Sequence, residues 1–64
     1  MSCKLNQYGG YKLEDVAQEI ASLYGAELEN WETKNNTLFV YCNEYGEEFV
    51  SELPFNQIKS FMEM

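Results

Sequence analysis

Four glutamates crowd one short stretch, Tyr41 to Pro54 (YCNEYGEEFVSELP): Glu44, Glu47, Glu48 and Glu52. Adjacent carboxylates such as Glu47 and Glu48 can act as general acid and base, but that work needs a pocket around them. A chain of 64 residues has little volume for one. Nucleophilic pairs of the Ser-His or Cys-His kind are excluded, because the sequence contains no histidine. Two cysteines, Cys3 and Cys42, cannot close a tetrahedral zinc site without further ligands. The run Asn43 to Glu48 (NEYGEE) lacks the twelve-residue spacing of an EF-hand loop. Gly9-Gly10 is not followed by the Lys-Ser/Thr pair of a phosphate loop. The sequence therefore predicts no catalysis, no resident metal and no cofactor, and leaves binding as the chemistry of these carboxylates.

The charge balance narrows the partner. Eleven acids against four lysines give a net charge of −7. Between Glu14 and Glu52 stand ten acids and Lys34 alone. Direct nucleic-acid binding draws on cations that displace counterions from phosphate, and an anionic membrane surface asks for the same. Neither suits this chain. An acidic surface suits a basic protein, where it speeds association and selects among partners.

No basic end followed by an apolar run of signal-peptide length opens the sequence, and no apolar stretch approaches the roughly 20 residues of a membrane helix. The expected setting is the cytoplasm, with both thiols reduced. A Cys3–Cys42 disulfide is the alternative.

Most of the elements that hold the acids are visible in the pattern. Leu13, Val16, Ala17, Ile20, Ala21 and Tyr24 recur at helical spacing, which predicts an amphipathic helix over Lys12–Tyr24. Glu14 and Asp15 favour its positive end, and Gly25 stops it. The segment Leu13 to Gly25 resembles the first helix of a helix-turn-helix, but no basic recognition helix follows. A short strand is expected near Asn30–Thr33, a turn through Lys34-Asn35-Asn36, a strong strand over Thr37–Asn43 and a third over Glu47–Leu53. Pro54 ends that strand and can open a short helix carrying Phe55, Ile58, Phe61 and Met62. The fold class is α+β: one small domain in the order α-β-β-β-α, with a three-stranded antiparallel sheet packed by helices.

A three-residue turn, Glu44-Tyr45-Gly46, would set Asn43 opposite Glu47 and Tyr41 opposite Phe49. Phe39, Tyr41, Phe49, Ser51 and Leu53 would then share one face, and Leu38, Val40, Cys42, Glu48, Val50 and Glu52 the other. A two-residue turn would shift the register by one. In either register both faces are partly apolar, so either helices cover both or one is left for a partner.

Acids on solvent-facing and edge positions also keep a protein soluble and unaggregated. A sharper reading is imitation of nucleic acid. Strand positions i and i+2 lie about 6.7 Å apart and helix positions i and i+4 about 6 Å apart, steps of the order of phosphate separations. Glu27 and Glu29 fit the first spacing, Asp15 and Glu19 the second. The expected partner-binding residues are these four with Glu44, Tyr45, Glu47, Glu48 and Glu52. Tyr45, at a hairpin tip among acids, has the make-up of a binding anchor.

Small size, acidity and missing catalytic equipment together resemble the counter-defence proteins of phages and mobile elements, such as anti-CRISPR and anti-restriction proteins. The resemblance is one of size and charge, not of motif. It implies an inhibitor that occupies the basic, nucleic-acid-binding surface of another protein. The alternative is an assembly module, a homodimer joined through Leu38, Val40 and Val50 or through Phe55, Ile58, Phe61 and Met62.

Overall fold

A computed structural model of the protein describes residues 6–63. Gly9-Gly10 is the turn of a miniature hairpin of β1 (Gln7–Tyr8) and β2 (Tyr11–Lys12). It runs directly into α1 (Leu13–Leu23), the predicted helix shortened by one residue at each end. Leu13, Val16, Ala17, Ile20 and Ala21 are buried along one side, and Glu14 and Asp15 lie in the first turn. Gly25, at φ 66°, closes the helix. Its N–H donates to the Ser22 carbonyl, and the Ala26 N–H reaches back to the Ala21 carbonyl. This pair of bonds satisfies the last carbonyls of the helix as a Schellman motif does. Tyr24 departs from the predicted stripe. Standing at the cap, it leaves the core half exposed and sets its ring edge-on to Phe49.

Three strands follow in spatial order β3-β4-β5: β3 (Glu27–Lys34), β4 (Thr37–Glu44) and β5 (Glu47–Pro54). Both connections are two-residue turns. Asn35 and Asn36 have φ of 54° and 57°, Tyr45 and Gly46 of 54° and 88°. Positive φ at both central residues defines the type I′ turn, whose twist matches that of the flanking strands.

The second turn corrects the three-residue expectation. Glu44 pairs with Glu47, Asn43 with Glu48 and Tyr41 with Val50. The face assignments change with it. Leu38, Val40 and Cys42 share a face with Phe49, Ser51 and Leu53, while Phe39 and Tyr41 share the other with Glu48, Val50 and Glu52.

β3 is longer than the Asn30–Thr33 segment that the pattern suggested, because a bulge hides its alternation. The register shifts between Leu28 and Asn30, so Leu28 and Trp31, three apart, both turn toward the core. One extra residue at Glu29 accounts for the odd spacing. Trp31 is thereby a packing residue.

β5 ends at Pro54, opposite Thr37. The Phe55 N–H donates to the Asn36 carbonyl (2.9 Å). The chain then winds through a short 3₁₀ turn (Phe55–Gln57) into α2 (Ile58–Met62). Tyr11 donates a hydrogen bond to the Glu63 carboxylate, tying the first hairpin to the end of α2.

The core is one cluster. Leu13, Val16, Ala17, Ile20 and Ala21 from α1 meet Leu38, Val40 and Cys42 from β4, closed by Phe55 and Ile58. Cys42 is free and buried; Cys3, the other half of the disulfide alternative, lies outside the described residues. The Cα envelope measures 34 × 32 × 16 Å, the thickness of one sheet and one layer of helices. Among the described residues, no element covers the second face of the sheet. Nor, among those residues, is any helix long and apolar enough to cross a membrane.

Candidate functional site

The uncovered face is a grid set by the pairing of three strands. In antiparallel pairs, residues directly opposite each other point to the same side. The register places Glu32, Phe39 and Glu52 in one rung, Asn30, Tyr41 and Val50 in the next, and Glu27, Asn43 and Glu48 in the third. Lys34, Thr37 and Pro54 form the end rung. Aromatic side chains thus run down the central strand, with glutamates on both outer strands. Glu29, the extra residue of the bulge, reaches this face as well: Asn43 Nδ2 donates to its Oε2 (3.1 Å). Asn43 Oδ1 accepts from the Gly46 N–H (2.9 Å), which fixes the amide between bulge and turn.

Among the described residues, five carboxylates therefore edge the face, against Lys34 alone. Between them lie Phe39, half-buried by its neighbours, Tyr41, 36% exposed, and Val50, 48% exposed. The Tyr41 phenol is pushed above its ordinary value of 10.0, first by partial desolvation on the sheet, then by the charge of Glu32 and a hydrogen bond to it. Tyr41 is therefore a neutral donor beside a carboxylate at physiological pH.

The predicted site residues separate into three places. Glu27, Glu29, Glu48 and Glu52 lie on the open face. Glu44 and Glu47 oppose each other at the end of the β4–β5 hairpin, on the core side of the sheet, with Tyr45 at the tip and 98% exposed. Asp15 and Glu19 are exposed on α1, on the far side of the slab from the open face. The nine residues do not form a single surface. The regular strand step expected from Glu27 to Glu29 is broken by the bulge. Glu32, Phe39, Tyr41 and Asn43 complete the face without having been named as site residues from the sequence, together with Val50, which was named only for self-association. A two-residue turn at Tyr45-Gly46 was the signal that would have found them, since it puts the aromatics of β4 among the acids of β5.

The residues named for apolar self-association are mostly spent. Leu38, Val40 and Ile58 are fully buried, and Phe55 nearly so; Phe61 and Met62 pack against the core. Of that set only Val50 lies on the open face. No charged or polar side chain is buried among the described residues, and no three acidic or thiol side chains there converge on a point that could hold a metal ion.

Comparison with protein-family models, with curated proteins and with solved structures returns no match.

Proposed function

We propose that this is a non-catalytic binding protein whose open sheet face docks on a basic surface of a nucleic-acid-handling protein and keeps nucleic acid from it. The observation that carries the reading is the composition of that face: an aromatic stripe on the central strand, edged by glutamates on both sides. Protection of sheet edges explains acids on β3 and β5. It does not explain the exposed Tyr41 and Val50 or the half-buried Phe39 set among them. A face built only for water would be polar along the central strand.

The energetics fit a partner. Glu32 and Glu52 flank Phe39 in one rung, and like charges gathered on one face oppose folding. A cationic partner reverses that sign. Covering the exposed part of Tyr41 and of Val50 would contribute on the order of 2 kcal/mol, with salt-sensitive steering added by the glutamates. A second copy of the chain fits the face poorly, because face-to-face pairing sets glutamates against glutamates. An inhibitor of the kind used in phage counter-defence is the most economical role for such a domain.

The test is capture with competition. Immobilised protein is exposed to lysate at low salt, then washed with short duplex DNA or with RNA. Release of a retained nucleic-acid-binding protein by the competitor, and its absence when Glu32, Glu48 and Glu52 are changed to Gln, supports the proposal. Retention that ignores both competitor and substitutions overturns it.

A further inference from the structure

We infer that the element received by the open face is an amphipathic α-helix of the partner, with an apolar stripe flanked by lysine or arginine, lying along β4. The inference rests on the proposed docking role of this face and adds the shape of what docks.

Width is the first argument. Neighbouring strands lie about 4.8 Å apart, so the glutamates of β3 and β5 stand about 10 Å apart across the central strand. A helix with its side chains is about 10–12 Å across. Seated over Phe39 and Tyr41, it would set its two flanks above the two acidic rows. Glu32 and Glu52 would take cations from opposite sides of one helical turn, and Glu48 one from a later turn.

Length is the second. The three rungs step by two residues, about 6.8 Å each, and together span about 14 Å. That is about nine residues of helix, enough for an i, i+3, i+7 stripe that steps from the rung of Phe39 to the rung shared by Tyr41 and Val50 and on toward Asn43. The opposite face already solves the same problem in this way. There α1 lays an apolar stripe over Leu38, Val40 and Cys42, and a helix on the open side would complete a three-layer arrangement.

The rival occupants fit less well. A strand added to the outer edge of β5 would meet Pro54, which has no N–H to give, and would leave the aromatic stripe bare. A second copy would bring its own glutamates. A flexible polycation would satisfy the acids and ignore the stripe.

The experiment uses the full chain, isotope-labelled, with three synthetic peptides of about 15 residues and identical composition of Leu, Ala, Lys and Arg. In one the leucines line a single helical face. In the second they are scattered around the helix. In the third they alternate as in a strand. The inference predicts that the first peptide gains helicity on binding and shifts the amide signals of Glu32, Phe39, Tyr41, Val50 and Glu52. It should bind at least about tenfold more tightly than the second, a difference of about 1.4 kcal/mol. In the Tyr41→Thr, Val50→Thr variant, whose folding is checked by circular dichroism, the first peptide should fall to the affinity of the second. Equal affinities of the first two on the same face would overturn the helix and leave the basic-partner reading standing. Preference for the third, with shifts along the outer edge of β5, would overturn it in favour of strand addition. Failure of all three to bind at low salt would overturn both.

Discussion

Tyr45 occupies the first central position of a type I′ turn at φ 54°, where a side chain with a Cβ is strained. The left-handed region costs an ordinary residue about 1–2 kcal/mol, and Asn much less, because its short polar side chain bonds locally. Tyr45 is 98% exposed, so replacing it removes no packing. The variant Tyr45→Asn should therefore gain about 1 kcal/mol. For a domain of this size that raises the melting temperature by about 4–8 °C. The other two-residue turn supplies the reciprocal case. Asn35, also at φ 54°, is already the favoured type, and Asn35→Tyr should lose about the same amount. Thermal melts followed by far-UV circular dichroism read both. A melting temperature unchanged or lowered in Tyr45→Asn would mean that Tyr45 is not left-handed. The two-residue turn would then be wrong, and with it the register that gathers Phe39, Tyr41 and Val50 onto one face with Glu48 and Glu52.

Other expectations follow from the core and its titrating groups. Leu38 is fully buried between sheet and α1. Leu38→Ala should cost about 2–5 kcal/mol, much of the stability available to so short a chain, and urea titration should show a sharply lowered midpoint. Tyr11 is pushed above the ordinary 10.0, chiefly by the hydrogen bond it donates to Glu63, then by desolvation and by the charge of Glu63. Tyr41 is raised in the same direction. A folded-state value above the unfolded one gives stability that is whole below pH 10 and declines as the phenols ionise at higher pH. Stability measured across that range should fall above about pH 10, and less steeply in Tyr11→Phe, which has no phenol at that position to ionise. The Cys42 thiol is also raised, by desolvation first and by Glu29 second. In a Cys3→Ser background its reaction with a disulfide reagent at neutral pH should follow the opening of the sheet, slow in the native protein and fast in urea. Rapid reaction under native conditions would contradict its burial.

Much of this fold can be read from local pattern, and the exceptions have specific physical causes. The stripe from Leu13 to Ala21 and the stop at Gly25 state α1 almost completely. Thr37 to Cys42 states β4, and Pro54 marks the end of β5. The first strand is obscured because a bulge at Glu29 puts Leu28 and Trp31 on the same side, which period-two reading cannot anticipate. The face stays open between two registers in the sequence for a subtler reason. Tyr-Gly is an unusual pair for a type I′ turn, which prefers Asn or Gly at its first position, and one residue of register reverses both faces of β5. Asp15 and Glu19 join the hairpin acids through charge and a phosphate-like i, i+4 spacing, properties that carry no address. Their place on α1, across the slab from Glu48 and Glu52, is decided by the apolar stripe of the helix and not by the acids themselves.

That separation offers the most direct test of the central claim, that the open face and not the overall acidity binds the partner. Two variants remove three carboxylates each and take the net charge from −7 to −4: Glu32→Gln, Glu48→Gln, Glu52→Gln on the sheet, and Glu14→Gln, Asp15→Asn, Glu19→Gln on the helix. Their affinities for the captured partner, or for the amphipathic cationic peptide, are measured side by side at low salt. The account predicts at least about a tenfold loss for the sheet variant and near-native binding for the helix variant. Equal losses in the two would contradict it and reduce the acids to a diffuse charge.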